Sequence, residues 1–405
     1  MRITLLTQYY PPEVGAPQTR LVLLARLLTE RGHRVTVLTA MPNYPKGRIY
    51  PGYGGLFRRE KIDGVEVIRS FIYPSQKTSF ILRMSNYFSF VLSSALAGSL
   101  ILKRADYLIV ESPPLFLGLS AYWLSRLKRT RLVFNVADPW PEKLANMGIL
   151  SPDSFSYRLS ARLEAFCYKK SWLVTAQEKG VASQIQTLFP NTQTYFFSNG
   201  ADTSVFGPER ATSEARRLLA GEAQYLAVFA GSHNLIQGLD YILDAAQALQ
   251  GQLNLQFAFV GEGPEKAALV EQAQRRGLKN VSFFEARPMV EIPPLLASAD
   301  FLLAPLKKEI PHVVHVKMYE AMASGRPVIL VANPQGDAAA ILSENQAGLT
   351  VEPGNIPALV AALTNLCADP ELRRRLGENG RRTAEAQFDR VKLTGRLIDF
   401  LEEHL

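Results

Sequence analysis

The chain has 405 residues, enough for two domains at roughly 100–200 residues each. With 47% hydrophobic and 20% charged residues, long disorder, a coiled coil and a polytopic membrane protein are excluded. The net charge of +8 is uneven, since residues 1–200 hold 25 Lys and Arg against 12 Asp and Glu and residues 201–405 hold 20 against 25, which points the first half at an anionic partner, a membrane surface or nucleic acid.

Met1–Thr7 runs into Gln8, Tyr9, Tyr10 and two prolines. It lacks the apolar core of a signal peptide and reads as a first buried strand, Ile3–Leu6. Residues 17–31 place Leu21, Leu24, Ala25, Leu27 and Leu28 on one helical stripe, opened by Pro17 and stopped by Gly32. Arg34–Thr39 is a β-branched strand, so a βαβ unit and a parallel sheet are predicted. Further strands are predicted at 65–70, 106–111, 131–136 and 172–176. Residues 80–102 are apolar and long enough to span a bilayer, but Arg83, Asn86 and five serines disfavour spanning. Either this is a core helix, or its apolar face lies on a membrane beside basic residues that include Arg58, Arg59, Lys61, Lys103 and Arg104.

The grammar restarts after residue 220. Strands are predicted at Tyr225–Ala230, Leu255–Val260, Val281–Phe284, Phe301–Ala304 and Val328–Val331, with helices between, the first at 238–249. Two α/β domains result, joined near Ser198–Gly200, with a last helix at about 390–405. Cys167 and Cys367 stand in no metal-ligand spacing, which suits reduced thiols in a cytosolic protein.

The turn after the first strand has no GxGxxG, which argues against a nicotinamide or flavin enzyme. Gly15 and Ala16 nevertheless put small residues at a helix N-terminus, a place for an anion or an ordinary strand-to-helix loop. Gly231-Ser232-His233-Asn234 with Gly238, and Gly261-Glu262-Gly263, follow strands of the second half, at the edge where open α/β sheets bind ligands. In residues 311–330 a short helix starting near His315 offers N–H donors and Lys317 to a phosphate, with Glu320 one turn on for sugar hydroxyls. A surface Lys–Glu pair is the plain alternative. Asp138 follows a strand end and is either a reacting carboxylate or a helix N-cap. No Asp-x-Asp stands near a strand end, so a metal clamp has no evident ligands.

Tyr10-Pro11-Pro12-Glu13, Arg31-Gly32-His33-Arg34-Val35, Asp138-Pro139-Trp140-Pro141-Glu142, Ser198-Asn199-Gly200-Ala201-Asp202 with Phe206, Gly261-Glu262-Gly263-Pro264-Glu265 and Lys317-Met318-Tyr319-Glu320-Ala321-Met322-Ala323-Ser324-Gly325-Arg326-Pro327 appear in that order. As a set they resemble family-4 retaining glycosyltransferases of GT-B type, above all the bacterial ones that build surface polysaccharides, O-antigens and colanic acid. The resemblance implies an α/β fold of two Rossmann-like domains facing across a cleft. Residues 1–198 with the crossing helix at about 390–405 form the acceptor domain, and 199–389 the nucleotide-sugar domain. It implies transfer of a hexosyl or N-acetylhexosaminyl group from a nucleoside diphosphate sugar, UDP-sugar favoured, to a glycan or lipid-linked acceptor. A GT-B epimerase and a non-catalytic nucleotide-sugar-binding protein are the alternatives.

The implied catalytic set is Asp138, Lys317 and Glu320, with Glu320 on the donor ribose. Gly15, Ala16, Asn199, Gly231, Ser232, Gly238, Gly261, Gly263, His312, His315 and Tyr319 join Lys317 and Glu320 beside the donor. Tyr10, Glu13, Trp140 and Glu142 are placed beside the acceptor. Two positions depart from the family. His312 stands where a Glu usually faces the donor sugar, and Ser232 and Gln237 stand for an Arg and a Lys, which moves phosphate neutralisation to Lys317, backbone N–H groups and His315. No metal, cofactor or nucleic-acid partner is expected. An anionic membrane surface is, through the basic first domain, at the inner face of the cytoplasmic membrane.

Overall fold

Residues apolar on both faces become central parallel strands, because helices cover a parallel sheet on either side. The computed structural model describes residues 1–13, 15–45, 47–75, 80–146, 150–307 and 314–405. These divide into two units, Met1–Ser198 with Thr394–Leu405, and Asn199–Leu393.

The first unit runs β1 (Arg2–Leu6), α1 (Ala16–Glu30), β2 (Arg34–Ala40), β3 (Phe57–Ile62), β4 (Val65–Ser70), α2 (Phe80–Ile101), β5 (Tyr107–Ser112), α3 (Leu117–Lys128), β6 (Arg131–Val136), α4 (Glu142–Asn146), α5 (Phe155–Lys170), β7 (Leu173–Ala176), α6 (Lys179–Leu188) and β8 (Thr194–Phe196). Its sheet has the order β3-β4-β2-β1-β5-β6-β7-β8. β5 and β7 are buried throughout. β3 is the exception. It pairs antiparallel with β4 through an Asp63-Gly64 turn, both residues at positive φ, and its charges face solvent, which blunts the sheet edge.

α2 packs one face into this core through Phe90, Ser94 and Ala97. Its other face leaves Phe88, Leu92, Leu96 and Leu100 exposed, a four-residue spacing that draws one line along the helix. Leu119, Trp123 and Leu127 draw a second line on the neighbouring α3. Trp123 Nε1 donates to Ser99 Oγ at 3.0 Å, and Ser94 Oγ meets Ser120 Oγ at 2.8 Å, which ties the two helices together. Residues 80–101 therefore pack as a core helix on one face and leave an exposed apolar line on the other.

The second unit runs α7 (Ser213–Ala220), β9 (Tyr225–Ala230), α8 (Leu239–Leu249), β10 (Leu255–Val260), α9 (Lys266–Arg275), β11 (Val281–Phe284), α10 (Ile292–Ala297), β12 (Phe301–Pro305), α11 (Val316–Ala323), β13 (Val328–Val331), α12 (Asp337–Glu344), β14 (Gly348–Val351), α13 (Ile356–Ala368) and α14 (Pro370–Gln387). All its strands are parallel, in the order β11-β10-β9-β12-β13-β14. α15 (Arg390–Glu403) begins in the second unit and ends in the first. There it is held by Arg31 on Asp399 at 2.5 Å, His33 on Glu402 at 2.6 Å and Tyr107 Oη on the Leu401 carbonyl at 2.9 Å.

Candidate active site

In the second unit the chain leaves β9 for β10 on one side and later returns at β12 on the other. Loops that part at such a switch point leave a crevice at the carboxyl ends of the strands. The loop after β9 carries Gly231 and Ser232, and the loop after β10 carries Gly261 and Gly263. The two are locked together. Gly231 N–H donates to Val260 O at 2.9 Å, His233 N–H to Glu262 O at 2.8 Å, and Glu265 N–H to His233 O at 3.0 Å. Gly261 has φ +146°, and a Cβ built on it would overlap the Gly231 carbonyl oxygen.

α11 follows β12 and brings Lys317 to this crevice in its first turn, with His315 at the N-cap. Lys317 Nζ donates to Gln237 Oε1, lies 4.0 Å from the Phe229 ring centroid, and would stand 3.0 Å from a Cβ on Gly231. Burial of the ammonium pushes its pKa down to about 7, and the nearby Glu320 carboxylate partly offsets this. Glu320 stands one turn along. Burial raises its pKa, while Arg390 and Lys317 pull it back. Arg390 in turn donates to the carbonyls of Asn199 and Gly200, both at 2.9 Å. Asn199, Arg390, Glu320, Lys317, Gln237 and Gly231 thus form one connected series, with a desolvated cation at the helix end where an anion is favoured.

Tyr319, on the same helix, is buried with its ring against Phe388, centroids 4.8 Å apart. Ser232 is exposed and its hydroxyl accepts from Asn234. Gly238 begins α8 in the left-handed region. His312 lies outside the described residues. Gly15 and Ala16 open α1, in the first unit.

His233, Gln237 and Arg390 were not among the expected site residues. His233 is wholly buried between Phe229, Phe259 and Phe283, and neither ring nitrogen has a hydrogen-bond partner among the described residues. Burial pushes its pKa down to about 4, so the ring is neutral at physiological pH. The Gly-Ser-His-Asn turn was visible in the sequence. Its aromatic surroundings come from three separate strands and were not.

In the first unit the switch point lies between β1 and β5. Tyr10 and Glu13 stand in the loop after β1. Both are buried, and the Glu13 carboxylate accepts from the N–H groups of Asn43 and Tyr44, both at 2.8 Å, and of Tyr10 at 3.3 Å. It clamps the loops after β1 and β2 to each other. The exposed aromatic at this edge is Tyr44, whose ring meets Tyr9 at 5.4 Å. Trp140 packs partly into the core, and its backbone N–H donates to Glu164 Oε1 at 2.8 Å. Glu142 is half-buried and accepts from Gln184.

Asp138 is half-buried just after β6 and four residues before α4 starts, so it is not that helix's N-cap. Beneath this edge Arg20 and Glu111 form a buried ion pair. Asn135 Nδ2 donates to Glu111 at 2.7 Å, and Thr175 Oγ1 to Asn135 at 2.6 Å. Asp138 lies close enough to push the Glu111 pKa up, after the larger effect of burial. A network that links α1, β5, β6 and β7 in this way fixes the backbone that carries Asp138. Among the described residues no cluster of His, Cys, Asp and Glu could hold a metal ion.

Two family profiles match the chain, the "Glycosyl transferase 4-like domain" over residues 15–200 and "Glycosyl transferases group 1" over residues 211–383. The chain is 26% identical to the putative colanic acid biosynthesis glycosyl transferase WcaI of Escherichia coli (strain K12), over 96% of this chain and 97% of that protein. It is 28% identical to the O-antigen chain mannosyltransferase C of Escherichia coli, over 40% of this chain and 42% of that protein. In fold it is similar to Alr3699/HepE of Anabaena, solved in complex with UDP, with a TM-score of 0.73 at 18% identity and all of both chains covered.

Proposed function

The chain belongs to the GT-B glycosyltransferases, and from that premise we propose a retaining enzyme that moves a hexosyl or N-acetylhexosaminyl group from a nucleoside diphosphate sugar, UDP-sugar in preference, to a glycan or lipid-linked acceptor of cell-surface polysaccharide synthesis. One observation carries the reading: Lys317, desolvated in the first turn of α11, faces the glycine turn after β9 at the switch point of the second sheet. There the cation and the N-terminus of α11 meet the diphosphate and stabilise the charge that grows on it as the anomeric C–O bond breaks. Glu320, held near Arg390, accepts from the ribose hydroxyls. The acceptor oxygen bonds to the anomeric carbon on the leaving-group face, and its proton passes to the departing diphosphate. Names of similar proteins support the polysaccharide context, and the UDP bound to a protein of like fold supports the base.

The test is incubation with labelled nucleotide sugars and a lipid-linked acceptor. Transfer supports the proposal, whereas interconversion of free donor, or binding without turnover, overturns it. Activity is expected to survive EDTA, because the helix N-terminus and Lys317 take the place of a cation. Loss with EDTA and recovery with Mg²⁺ or Mn²⁺ would reveal a missed metal site.

The working place we propose is the inner face of the cytoplasmic membrane, with the enzyme peripheral to it. The support is the double apolar line on α2 and α3, where Leu92 is 70% and Leu100 76% exposed, next to a strongly basic surface. A helix pair lying in the interface would bury those leucines, at about 1.5–3 kcal/mol each if burial were complete. Leu92→Asp with Leu96→Asp is expected to lower binding to anionic vesicles at least tenfold in co-sedimentation, with the fold retained. Unchanged binding would remove this face from the membrane.

A further inference from the structure

At the opposite edge of the first sheet, where the strands begin, lies a cavity of about 540 Å³. It falls within the size range of small-ligand sites, ~300–1,000 Å³. Six cationic side chains line it: Arg2, Arg34, Arg59, Lys61, Lys103 and Arg104, against the single carboxylate of Glu66. None of the six makes an ion pair among the described residues. The acids close by are engaged elsewhere. Glu60 takes Arg58 and Arg69, Glu402 takes Arg31 and His33, and the Asp106 carboxylate accepts the backbone N–H of Arg2 at 2.7 Å. Six like charges around one hollow repel each other until an anion enters.

The walls narrow the choice of anion. Between the cations the lining mixes Thr4, Thr29 and Thr36 with Ile101 and the largely buried Ile3, Val35, Ile68 and Leu102, so polar, positive and some apolar groups border it. Leu100, the last exposed leucine of α2, immediately precedes Ile101 in that wall. The apolar line on α2 therefore ends at the same end of the helix as the basic cavity. A bare phosphate or a nucleic acid would use the charges and leave the line uncovered. A phospholipid uses both, its acyl chains beside α2 and its headgroup among the cations. The cavity is also remote from the reacting edge. β2 alone separates the two by seven residues, about 20 Å at ~3.3 Å per residue, so neither donor nor acceptor diphosphate explains it.

We infer that this cavity is a binding site for the phosphate headgroup of an anionic phospholipid, and that it gives the membrane contact its lipid preference. The inference rests on the peripheral-membrane reading above and adds to it a defined site. In co-sedimentation at ~0.15 M salt, the full chain is expected to bind vesicles of phosphatidylcholine with phosphatidylglycerol about tenfold better than phosphatidylcholine alone. R59E/K61E and K103E/R104E, all exposed and outside the reacting edge, should each abolish that preference and leave transfer to a soluble acceptor unchanged. R158E/R162E on α5, with the same change in charge, should reduce the preference less than threefold.

Equal loss in the α5 pair would mean that net charge alone is sensed, and would overturn the site. Cavity variants that keep the preference would overturn it too, with the membrane reading intact. No binding of the parent to any vesicle would sink both readings at once. If R59E/K61E removed calorimetric binding of inorganic phosphate but spared vesicle binding, the cavity would belong to a soluble phosphate, and the lipid assignment would fall.

Discussion

Lys317→Met is expected to lower kcat/KM by about 10²–10³-fold, or ~3–4 kcal/mol of transition-state stabilisation, the loss typical of removing one preorganised charge donor. Nucleoside diphosphate binding should weaken more than nucleoside binding, because Lys317 answers the phosphates and not the base. Glu320→Ala should weaken both, since it removes the ribose contact. Stability separates function from folding here. With its pKa at about 7 in the folded protein against the ordinary lysine value of about 10.4 when unfolded, Lys317 opposes folding. That penalty is fully present below about pH 7, where both states are protonated, and is relieved as pH rises towards 10. Lys317→Met removes it, so the variant's Tm should not fall below the parent's. In the parent, donor affinity should decline as pH rises through about 7 and nucleoside diphosphate binding should take up a proton, effects that vanish in the variant. A variant that keeps its donor affinity and its pH profile would remove Lys317 from the site.

How much of this could be read in the sequence follows from where each signal resides. Ile3–Leu6, Arg34–Thr39, Tyr225–Ala230 and Leu255–Val260 were legible because a strand buried on both faces is a continuous apolar run. β3 was not, because an edge strand is kept soluble by charge and Phe57–Ile62 reads as a polar loop. Its one local clue is the hairpin turn signal Asp63-Gly64. β8 and β14 are too short to show a period. Within the site, Lys317 and Glu320 were legible because both lie on one short helix whose N-terminus has a chemical meaning by itself. Gln237 and Arg390 stand about 80 and 70 residues away from them, and only the closing of the second sheet makes them partners. Glu13 and Tyr10 were placed beside the acceptor by the family resemblance, which does not say which way a side chain points. The unpaired N–H groups of Asn43 and Tyr44 drew the carboxylate inward, since a buried donor without a partner costs about 1–3 kcal/mol.

Gly261→Ala should destabilise the second unit by ~2–4 kcal/mol, for two independent reasons. The backbone stands at φ +146°, a region open to glycine and strained by roughly 1–3 kcal/mol for other residues. The new Cβ also overlaps the Gly231 carbonyl, a backbone atom that cannot rotate away, and overpacking adds about 1–3 kcal/mol. Relief requires the loop after β9 to move, yet Gly231 already has only 3.0 Å between its own Cβ direction and Lys317 Nζ. The displacement therefore passes to the cation that receives the diphosphate. Thermal unfolding should show a Tm lowered by about 5–10 °C, given ~2–4 °C per kcal/mol for a unit of this size. The rise in Tm that a nucleoside diphosphate gives the parent should shrink, because a weaker Kd means less linkage stabilisation. Gly277→Ala separates the two causes. It too has positive φ, at +63°, but nothing lies within 4 Å of its Cβ, so it should cost only about 1 kcal/mol and leave the ligand-induced rise intact. Equal losses at the two glycines would mean that backbone strain alone acts, and that the contact between the two glycine loops does not shape the donor site.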